Sequence, residues 1–381
     1  MTSSPEQVRV LTIAHNAVAS SNRLRFEALR RVRGMQATLL TPSWWSEEGR
    51  RVEVPPDAPW RVGRTIMTGN GTRHMYVGGL LQAVRRTRPD VIDLVEEPFS
   101  LVALQALIAR ELFAPRAALV FYSAVNVMRT WRWPYRMVER LVLARADGAH
   151  APNQDVPRIL RAKGFAATRP VDVIPLGVDV ERFASATALE LADIPRPRVG
   201  FVGRFESVKG LDVLVDAFGQ LRKRASLVAA GDGPERYRLK GERVHVLGPV
   251  AHADLPRLLK ALDVLVLPSI TILPLHREQF GRVLVEAMAA GVPVVGSSSG
   301  AIPEVIGDAG LVVPERDAPA LAEAIERVLE DHALRSRLVE RGRHRVQTRF
   351  AWPVVAEQTY ALFRAALAHR RVLPNLEAVG A

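Results

Sequence analysis

The sequence contains no cysteine among its 381 residues. Disulfides, thiolate metal sites and a cysteine nucleophile are therefore excluded. The first residues lack the long apolar core of a signal peptide, and no uninterrupted apolar run approaches the roughly 18 residues that span a membrane. P-loop, glycine-rich dinucleotide and Asp-x-Asp motifs are also missing, which removes three common ways of holding a phosphate or its metal ion. We expect a cytoplasmic protein without a metal cofactor.

Charge is abundant and unevenly placed. The formal net charge is +12, and nine of these positive charges fall in residues 1–182. An excess of one sign on one half favours an anionic partner there, such as the inner face of the plasma membrane or a phosphate-bearing acceptor. An arginine-rich solvated surface explains the same count without any partner. Nucleic acid would fit the charge too, but no recognised binding motif supports it, so we expect none.

Short apolar runs alternate with helical patterns along the whole chain. In the first half, residues 8–14, 37–40, 91–95 and 118–122 read as buried strands, with helices at 22–33 and 100–112. A second series of strands and helices begins at residue 198. This rhythm predicts an α/β protein with two doubly wound Rossmann-like domains. Proline and glycine punctuate residues 173–179, which places the boundary there: domain one at 1–175 and domain two at 176–349.

The first candidate site is the stretch GRFESVKG at 203–210, between a predicted strand and a predicted helix. It brings Arg204 and Lys209 to the start of a helix. Fixed positive charge and backbone N–H groups suit a diphosphate. Two solvated charges in a glycine-bounded turn would leave the same pattern. Because both residues lie in a turn, we expect the fold to tolerate their replacement.

The second candidate is EQFGRVLVE at 278–286, with one glutamate before a predicted helix and one inside it. The backbone N–H groups from Gly281 to Leu284 are predicted to be unpaired at that helix start. Glu286 lies among apolar residues, where a carboxylate needs a partner. A ribose diol would serve, and so would an arginine. The GDGP stretch at 231–234 is by itself only a turn signal.

Together these stretches resemble glycosyltransferase family 4, which has the GT-B fold of two facing Rossmann-like domains. The resemblance is carried by VGRFESVKG (202–210), GDGP (231–234), EQFGRVLVEAMAAGVPVVGSSSG (278–300) and IPEVIGDAGLVVP (302–314), and more weakly by DVIDLVEEPFSL (90–101) and PLGVDVERF (175–183). It covers most of the chain and is specific in the second half.

The resemblance implies a retaining, metal-independent transfer of a hexosyl unit from a UDP- or GDP-sugar. Arg204 and Lys209 would neutralise the leaving diphosphate, and Glu278 would hold the donor sugar. Glu286 would bind the ribose hydroxyls. The rest of the donor site would be lined by Gly203, Phe280, Gly281, Arg282, Val283 and Leu284. The fold also implies a C-terminal segment, 350–381, with a helix at 352–367 that packs back on the first domain.

The acceptor side departs from the family. Relatives often carry glycines after the first strand and a histidine after the fourth, whereas this chain has His15 and Asn126 at those places. Both are candidates for acceptor contacts, although His15 is equally well read as a buried, hydrogen-bonded side chain. The acceptor itself is left open among a lipid-linked molecule, a cell-surface glycan and a small molecule.

The segment MRTWRWPYRMVER at 128–140 mixes aromatic residues with arginines. Such mixtures suit a membrane interface, because the apolar rings enter the headgroup region while the guanidinium groups meet anionic lipids. Ordinary packing with the arginines outside is the alternative.

Two other classes of protein stay open. The stretch GSSSG at 296–300 matches the G-x-S-x-G element of serine hydrolases, with Asp308 or Asp317 and His332 or His344 as partners. A degenerate transferase could also bind a nucleotide or glycan without turnover, although Arg204, Lys209, Glu278 and Glu286 all being present favours an enzyme.

Overall fold

The computed structural model describes residues 7–47, 50–55, 57–222 and 224–377, with the backbone alone for 47, 50 and 373–377. The chain divides into two compact units. Unit 1 comprises residues 1–174 and 352–381, and unit 2 comprises residues 175–351.

Unit 1 is built on a seven-stranded sheet that is parallel throughout. Its strand order is β11-β10-β9-β8-β1-β2-β5, and two small antiparallel pairs, β3-β4 and β6-β7, lie outside the sheet. The strands of unit 1 are β1 (Val8–Ile13), β2 (Met35–Pro42), β3 (Trp44–Glu47), β4 (Arg50–Glu53), β5 (Arg61–Gly63), β6 (Thr65–Ile66), β7 (Met75–Tyr76), β8 (Val91–Leu94), β9 (Ala118–Tyr122), β10 (Gly148–Ala151) and β11 (Val171–Val173).

The central strands of this sheet are buried on both faces because the helices of unit 1 cover it. Every residue of β8 is buried, including Asp93, whose carboxylate pairs with Arg25 Nη1 at 2.7 Å. The helices in this part of the chain are α1 (Ser20–Arg30), α2 (Gly79–Thr87), α3 (Leu101–Phe113), α4 (Tyr135–Arg145) and α5 (Asp155–Ala162). The N-terminus of α3 is capped by Ser100, whose hydroxyl accepts the Ala103 N–H.

Unit 2 is built on a six-stranded parallel sheet with the order β14-β13-β12-β15-β16-β17. Its strands are β12 (Arg198–Val202), β13 (Ser226–Ala230), β14 (Val244–Gly248), β15 (Val264–Leu267), β16 (Val294–Ser297) and β17 (Gly310–Val313). Its helices are α6 (Val180–Ser185), α7 (Leu211–Gln220), α8 (Leu255–Lys260), α9 (Arg282–Ala290), α10 (Ile302–Ile306), α11 (Ala318–Glu330) and α12 (His332–Arg345). One continuous hydrophobic core runs through this unit.

The last helix, α13 (Trp352–Glu377), belongs to unit 1. Its apolar face, including Leu362 and Phe363, is buried together with Val10 of β1 and Val120 of β9. The Tyr360 hydroxyl donates to the Gly34 carbonyl at 3.1 Å. The helix extends ten residues beyond the predicted end at residue 367.

The structure confirms the predicted α/β class with two parallel, doubly wound sheets. The antiparallel pairs β3-β4 and β6-β7 were not predicted, because each is too short to show a periodic pattern. Within the described residues, no helix combines the length and apolar character needed to cross a membrane.

Candidate functional site

The glycine-bounded loop at 203–210 follows β12 and ends in a tight turn. A 3-10 turn, Ser207–Lys209, leads into Gly210, whose φ of 65° is left-handed. A Cβ on Gly210 would lie 2.1 Å from the Pro268 carbonyl oxygen, so only glycine fits there. This close approach holds the loop against the end of β15, the strand next to β12.

Lys209 is paired with Glu278 at the carboxyl ends of the neighbouring strands β12 and β15. Lys209 Nζ donates to Glu278 Oε2 at 2.6 Å, and the Ser269 hydroxyl donates to the same oxygen at 2.8 Å. Both charged side chains are largely buried. Burial by itself raises the pKa of Glu278, but the charge and hydrogen bond of Lys209 outweigh it and hold that pKa below its usual value. The position of Lys209 in a turn predicts that the fold tolerates its loss. Because that loss would remove the cation beside a largely buried carboxylate, we expect it to destabilise unit 2 instead.

Arg204 has a different environment. Its side chain is 56% exposed, and its only described ion pair is with Glu206 two residues away, at 2.7 Å. The guanidinium group is therefore accessible to a ligand and is not needed for packing.

The second predicted stretch leads into α9. Gly281, at φ 80°, starts the helix, and no described side chain caps it. One part of the prediction is wrong: the Leu284 N–H is not unpaired, because it donates to the Gly281 carbonyl at 2.9 Å. The rest of that prediction is not tested, and the start of α9 stays a candidate anion site beside Glu278.

Two residues predicted for the donor site lie inside the protein. Phe280 is 4% exposed and packs edge-on against Phe350, with ring centroids 5.9 Å apart. The Leu284 side chain is fully buried. They support the start of α9 from within the core, whereas Arg282 and Val283 are partly exposed.

Glu286 is 5% exposed on α9 and does not pair with an arginine. Its Oε1 lies 3.6 Å from His252 Nε2, which is longer than a hydrogen bond. Arg182 contacts His252 Nδ1 at 3.2 Å, and since arginine can only donate, the imidazole hydrogen is on Nε2, facing Glu286. Sequence reasoning missed His252, which lies 34 residues before Glu286 with no spacing signal.

The GDGP turn at 231–234 supports the loop at 203–210 directly. A Cβ on Gly231 would lie 1.9 Å from the Gly203 carbonyl oxygen, and one on Gly233 would lie 2.5 Å from that of Phe205. The Phe205 N–H also donates to the Asp232 carbonyl at 2.8 Å. The two glycines are therefore required by backbone-to-backbone packing, a role that a turn pattern cannot reveal.

The hydrolase alternative finds no support. The Ser298 hydroxyl accepts the Glu315 N–H at 3.2 Å, and His332 contacts Arg335 on its own helix. The loop instead holds Glu278: a Cβ on Gly300 would lie 2.0 Å from the Glu278 carbonyl oxygen.

The acceptor-side candidates belong to unit 1, and the donor candidates all belong to unit 2. His15 follows β1 and Asn126 follows β9, the two strands that flank β8. His15 is partly buried, and its Nδ1 lies 2.6 Å from Glu96 Oε2, while Asn126 is buried. Two consecutive glutamates, Glu96 and Glu97, which the sequence analysis did not single out, follow β8. Burial raises the pKa of the second, Glu97, to about 7, against the lowering effect of hydrogen bonds from Ala124 and Ser123.

Comparison with solved structures defines the class. Sucrose-phosphate synthase from Thermosynechococcus elongatus matches with a TM-score of 0.69 at 23% identity, over 95% of this chain and all of that one. Anabaena Alr3699/HepE in complex with UDP and glucose matches with a TM-score of 0.68 at 18% identity, over 94% of this chain and all of that one. The fold is therefore that of the GT-B glycosyltransferases.

Family models give the narrower assignment. A model described as Glycosyltransferase Family 4 matches residues 26–182, and one described as Glycosyl transferases group 1 matches residues 196–331. Both halves of the chain thus match glycosyltransferase family models, in agreement with the resemblance predicted from the motifs.

Curated relatives match over part of their length. A phosphatidyl-myo-inositol mannosyltransferase from Mycobacterium leprae is 38% identical over 203 residues, half of this chain and 52% of the relative. A glycogen synthase from Mycobacterium tuberculosis is 33% identical over 214 residues, 51% of this chain and 49% of the relative. The chain thus spans about half the length of the curated relatives it matches.

Proposed function

We propose that this protein is a retaining glycosyltransferase that moves a hexosyl unit from a UDP- or GDP-sugar to an acceptor hydroxyl. The observation that carries the proposal is the contact of Lys209 with Glu278 at one sheet edge, immediately before the uncapped start of α9. A cation, a carboxylate and a helix N-terminus at one place suit a sugar diphosphate, since the positive groups meet the phosphates and the carboxylate meets sugar hydroxyls.

In the proposed reaction the acceptor oxygen bonds to the anomeric carbon on the face from which the diphosphate leaves. The bond between that carbon and the phosphate oxygen breaks, and the acceptor proton passes to the departing phosphate. Arg204 and Lys209 stabilise the charge that develops on the diphosphate. Glu286, oriented towards His252, holds the ribose hydroxyls.

The class of donor is supported by the Anabaena structure, which holds UDP and glucose. Arg204 and Lys209, in the loop at 203–210, would perform the charge neutralisation that a metal ion performs in other transferases. We therefore propose that transfer needs no metal. Activity is expected to persist in excess EDTA. Loss that added Mg²⁺ or Mn²⁺ restores would refute metal independence.

The test of the donor begins with ligand-induced changes in the melting temperature, because a ligand that binds only the folded state raises the midpoint. UDP, GDP and their hexose conjugates are compared, and the anomeric configuration of the product is then read by NMR. Replacing Arg204 with alanine should reduce turnover roughly a hundredfold or more. Exposed Arg337 on α12 provides the matched control, whose replacement should change nothing.

Two outcomes would contradict the proposal. Near-parental turnover in the Arg204 variant would remove its role at the diphosphate. Tight nucleotide binding with no transfer to any sugar, lipid or water acceptor would favour the alternative of a binding protein without turnover.

Exposed apolar and basic side chains on and just before α4 form a surface that could contact a membrane holding the acceptor. Trp133, just before the helix, is 80% exposed, and Met137 and Leu141 are 45% and 41% exposed at intervals of four residues. Arg132, Arg136 and Arg140 are exposed one position earlier in each case. We call these six side chains the arginine–aromatic face. Met137 and Leu141 lie one helical turn apart on α4, with Arg136 and Arg140 next to them in the sequence. Trp133 and Arg132 precede the helix, and we group them with the apolar stripe and the basic stripe respectively.

The one acidic residue on α4 does not oppose this charge. Glu139 is buried, and its carboxylate accepts a hydrogen bond from Lys163 Nζ at 2.6 Å. The neighbouring helix α3, which packs against α4, exposes Ile108 and Leu112. We propose that the arginine–aromatic face binds an anionic bilayer, with the apolar stripe in the headgroup region and the guanidinium groups on the lipid phosphates.

Vesicle co-sedimentation tests the membrane contact. Neutralising Arg132, Arg136 and Arg140 should weaken binding to phosphatidylglycerol vesicles by about 1 kcal/mol per charge. Neutralising Arg30, Arg85 and Arg86, which are exposed on α1 and α2, is the matched control for net charge. Equal binding by the two triple variants would leave only a net-charge effect and overturn the assigned surface, as would no binding by the parent.

A further inference from the structure

Three side chains of metal-binding type converge in unit 1, and none of them belongs to the predicted donor site. His15 follows β1, His74 precedes β7 and Glu96 follows β8. One ligand atom from each lies within 4.8 Å of the others. His74 is fully buried and Glu96 is 2% exposed, while 22% of the His15 side chain reaches the surface.

The hydrogen bonding of His74 leaves one ring nitrogen unsatisfied. Its Nδ1 lies 3.1 Å from the Asn70 carbonyl oxygen, and because a carbonyl only accepts, Nδ1 carries a hydrogen. Its Nε2 is buried and has no hydrogen-bond partner among the described residues. This nitrogen faces Glu96 Oε1 at 3.7 Å. A lone pair facing a carboxylate in a buried place requires a positive species, either a metal ion or a proton on the ring.

The pattern around His74 favours the metal ion. Histidine ligands usually donate their other ring N–H to a carbonyl or carboxylate, as His74 does to Asn70. Two ligand atoms on a tetrahedral zinc ion lie about 3.3 Å apart, which is close to the separation of His74 Nε2 and Glu96 Oε1. The shorter contact of 2.6 Å between His15 Nδ1 and Glu96 Oε2 would have to open on binding.

An aromatic wall screens the cluster. The Trp45 ring lies 4.2 Å from the His15 ring and 4.8 Å from the His74 ring, measured between centroids. Such a low-polarity wall strengthens the attraction between a cation and the Glu96 carboxylate.

We propose that His15, His74 and Glu96 bind one divalent transition-metal ion, with zinc the best fit to two imidazoles and a carboxylate. The ion ties the segment that carries His74 to the ends of β1 and β8. The site lies in unit 1, whereas the residues proposed for the donor lie in unit 2; of the three ligands, His15 is also a candidate for acceptor contacts.

The test measures zinc binding to the untagged full chain after removal of metal with EDTA and dialysis. Competition with a chromophoric chelator should give one equivalent of Zn²⁺ per chain, and Co²⁺ should give the visible absorption of a four- or five-coordinate site. Replacing Glu96 or His15 with glutamine should weaken the affinity at least about a hundredfold, since even outer partners of metal ligands contribute 10–100-fold. Replacing exposed His344 in unit 2 should leave it unchanged.

Folding of each variant is checked by circular dichroism, and the partly exposed His15 makes the His15→Gln variant the decisive one. Less than one equivalent bound by the parent would show that His74 and Glu96 form an ion pair with a proton instead. Parental affinity in the His15→Gln and Glu96→Gln variants would equally overturn the site.

Discussion

Loss of Lys209 should destabilise unit 2 even in the absence of any ligand. The Lys209→Ala substitution removes the ammonium group that lies 2.6 Å from Glu278 Oε2, the oxygen that also accepts the Ser269 hydroxyl. The Glu278 side chain is only 8% exposed, so water cannot replace the lost charge. Arg204 is the matched comparison, because its pair with Glu206 is at the surface.

The expected magnitude follows from the burial. Removing one partner of a buried ion pair costs about 3–5 kcal/mol, because the other charge stays buried. For a domain of this size, 1 kcal/mol shifts the melting temperature by about 2–4 °C, so the lower estimate predicts a drop of about 6–12 °C. The Arg204→Ala variant should lose less than about 1 kcal/mol, as exposed ion pairs usually contribute no more than that.

Differential scanning calorimetry without nucleotide measures both variants, with the transition of unit 2 identified by its shift on adding a nucleoside diphosphate. The double variant Lys209→Met with Glu278→Gln should recover part of the loss, since it removes the stranded charge. Equal melting temperatures for the Lys209→Ala and Arg204→Ala variants would refute the reasoning. So would a double variant that is less stable than the sum of its single changes.

Three further predictions concern a glycine and two glutamates. Gly231→Ala should cost at least about 1–3 kcal/mol of stability and abolish activity, because a Cβ there meets the Gly203 carbonyl oxygen and a non-glycine residue is strained in this left-handed backbone. Gly219→Ala in α7, where nothing lies within 4 Å of the added Cβ, is the control and should be neutral or stabilising. Similar melting temperatures for the two variants would contradict the prediction. Glu286→Gln should weaken UDP or GDP binding by about 1.5–3 kcal/mol in calorimetry, the usual contribution of a hydrogen bond to a charged group, and unchanged affinity would exclude a ribose contact. Burial raises the pKa of Glu97 to about 7, so ionisation of Glu97 opposes folding. The parent should therefore lose at most about 3 kcal/mol of stability as pH rises from about 4.5 to 7, with no further loss above that. Urea titrations of the Glu97→Gln variant should lack this loss, and parallel pH profiles for parent and variant would disprove the prediction.

Much of the candidate site could be predicted from local sequence, because its parts are contiguous. The loop at 203–210 and the stretch at 278–286 each combine a strand end, a glycine and charged residues within a few positions. Such patterns show which residues can meet a diphosphate. They do not show whether a charged side chain is exposed or buried in an ion pair. For this reason the exposure of Arg204 and the burial of Lys209 against Glu278 could not be predicted.

The sequence by itself determined the two parallel α/β units, since buried apolar runs alternating with helical patterns have few other solutions. Strand order was decided only by the tertiary structure, because hydrogen bonding between strands joins residues far apart in the chain. The adjacency of β12 and β15 brings Lys209 to Glu278, 69 residues away. The adjacency of β1 and β8 likewise brings His15 to Glu96, 81 residues away. Parallel strands place their carboxyl ends at one edge, so the order of the strands, which no local pattern encodes, selects the side chains that meet there.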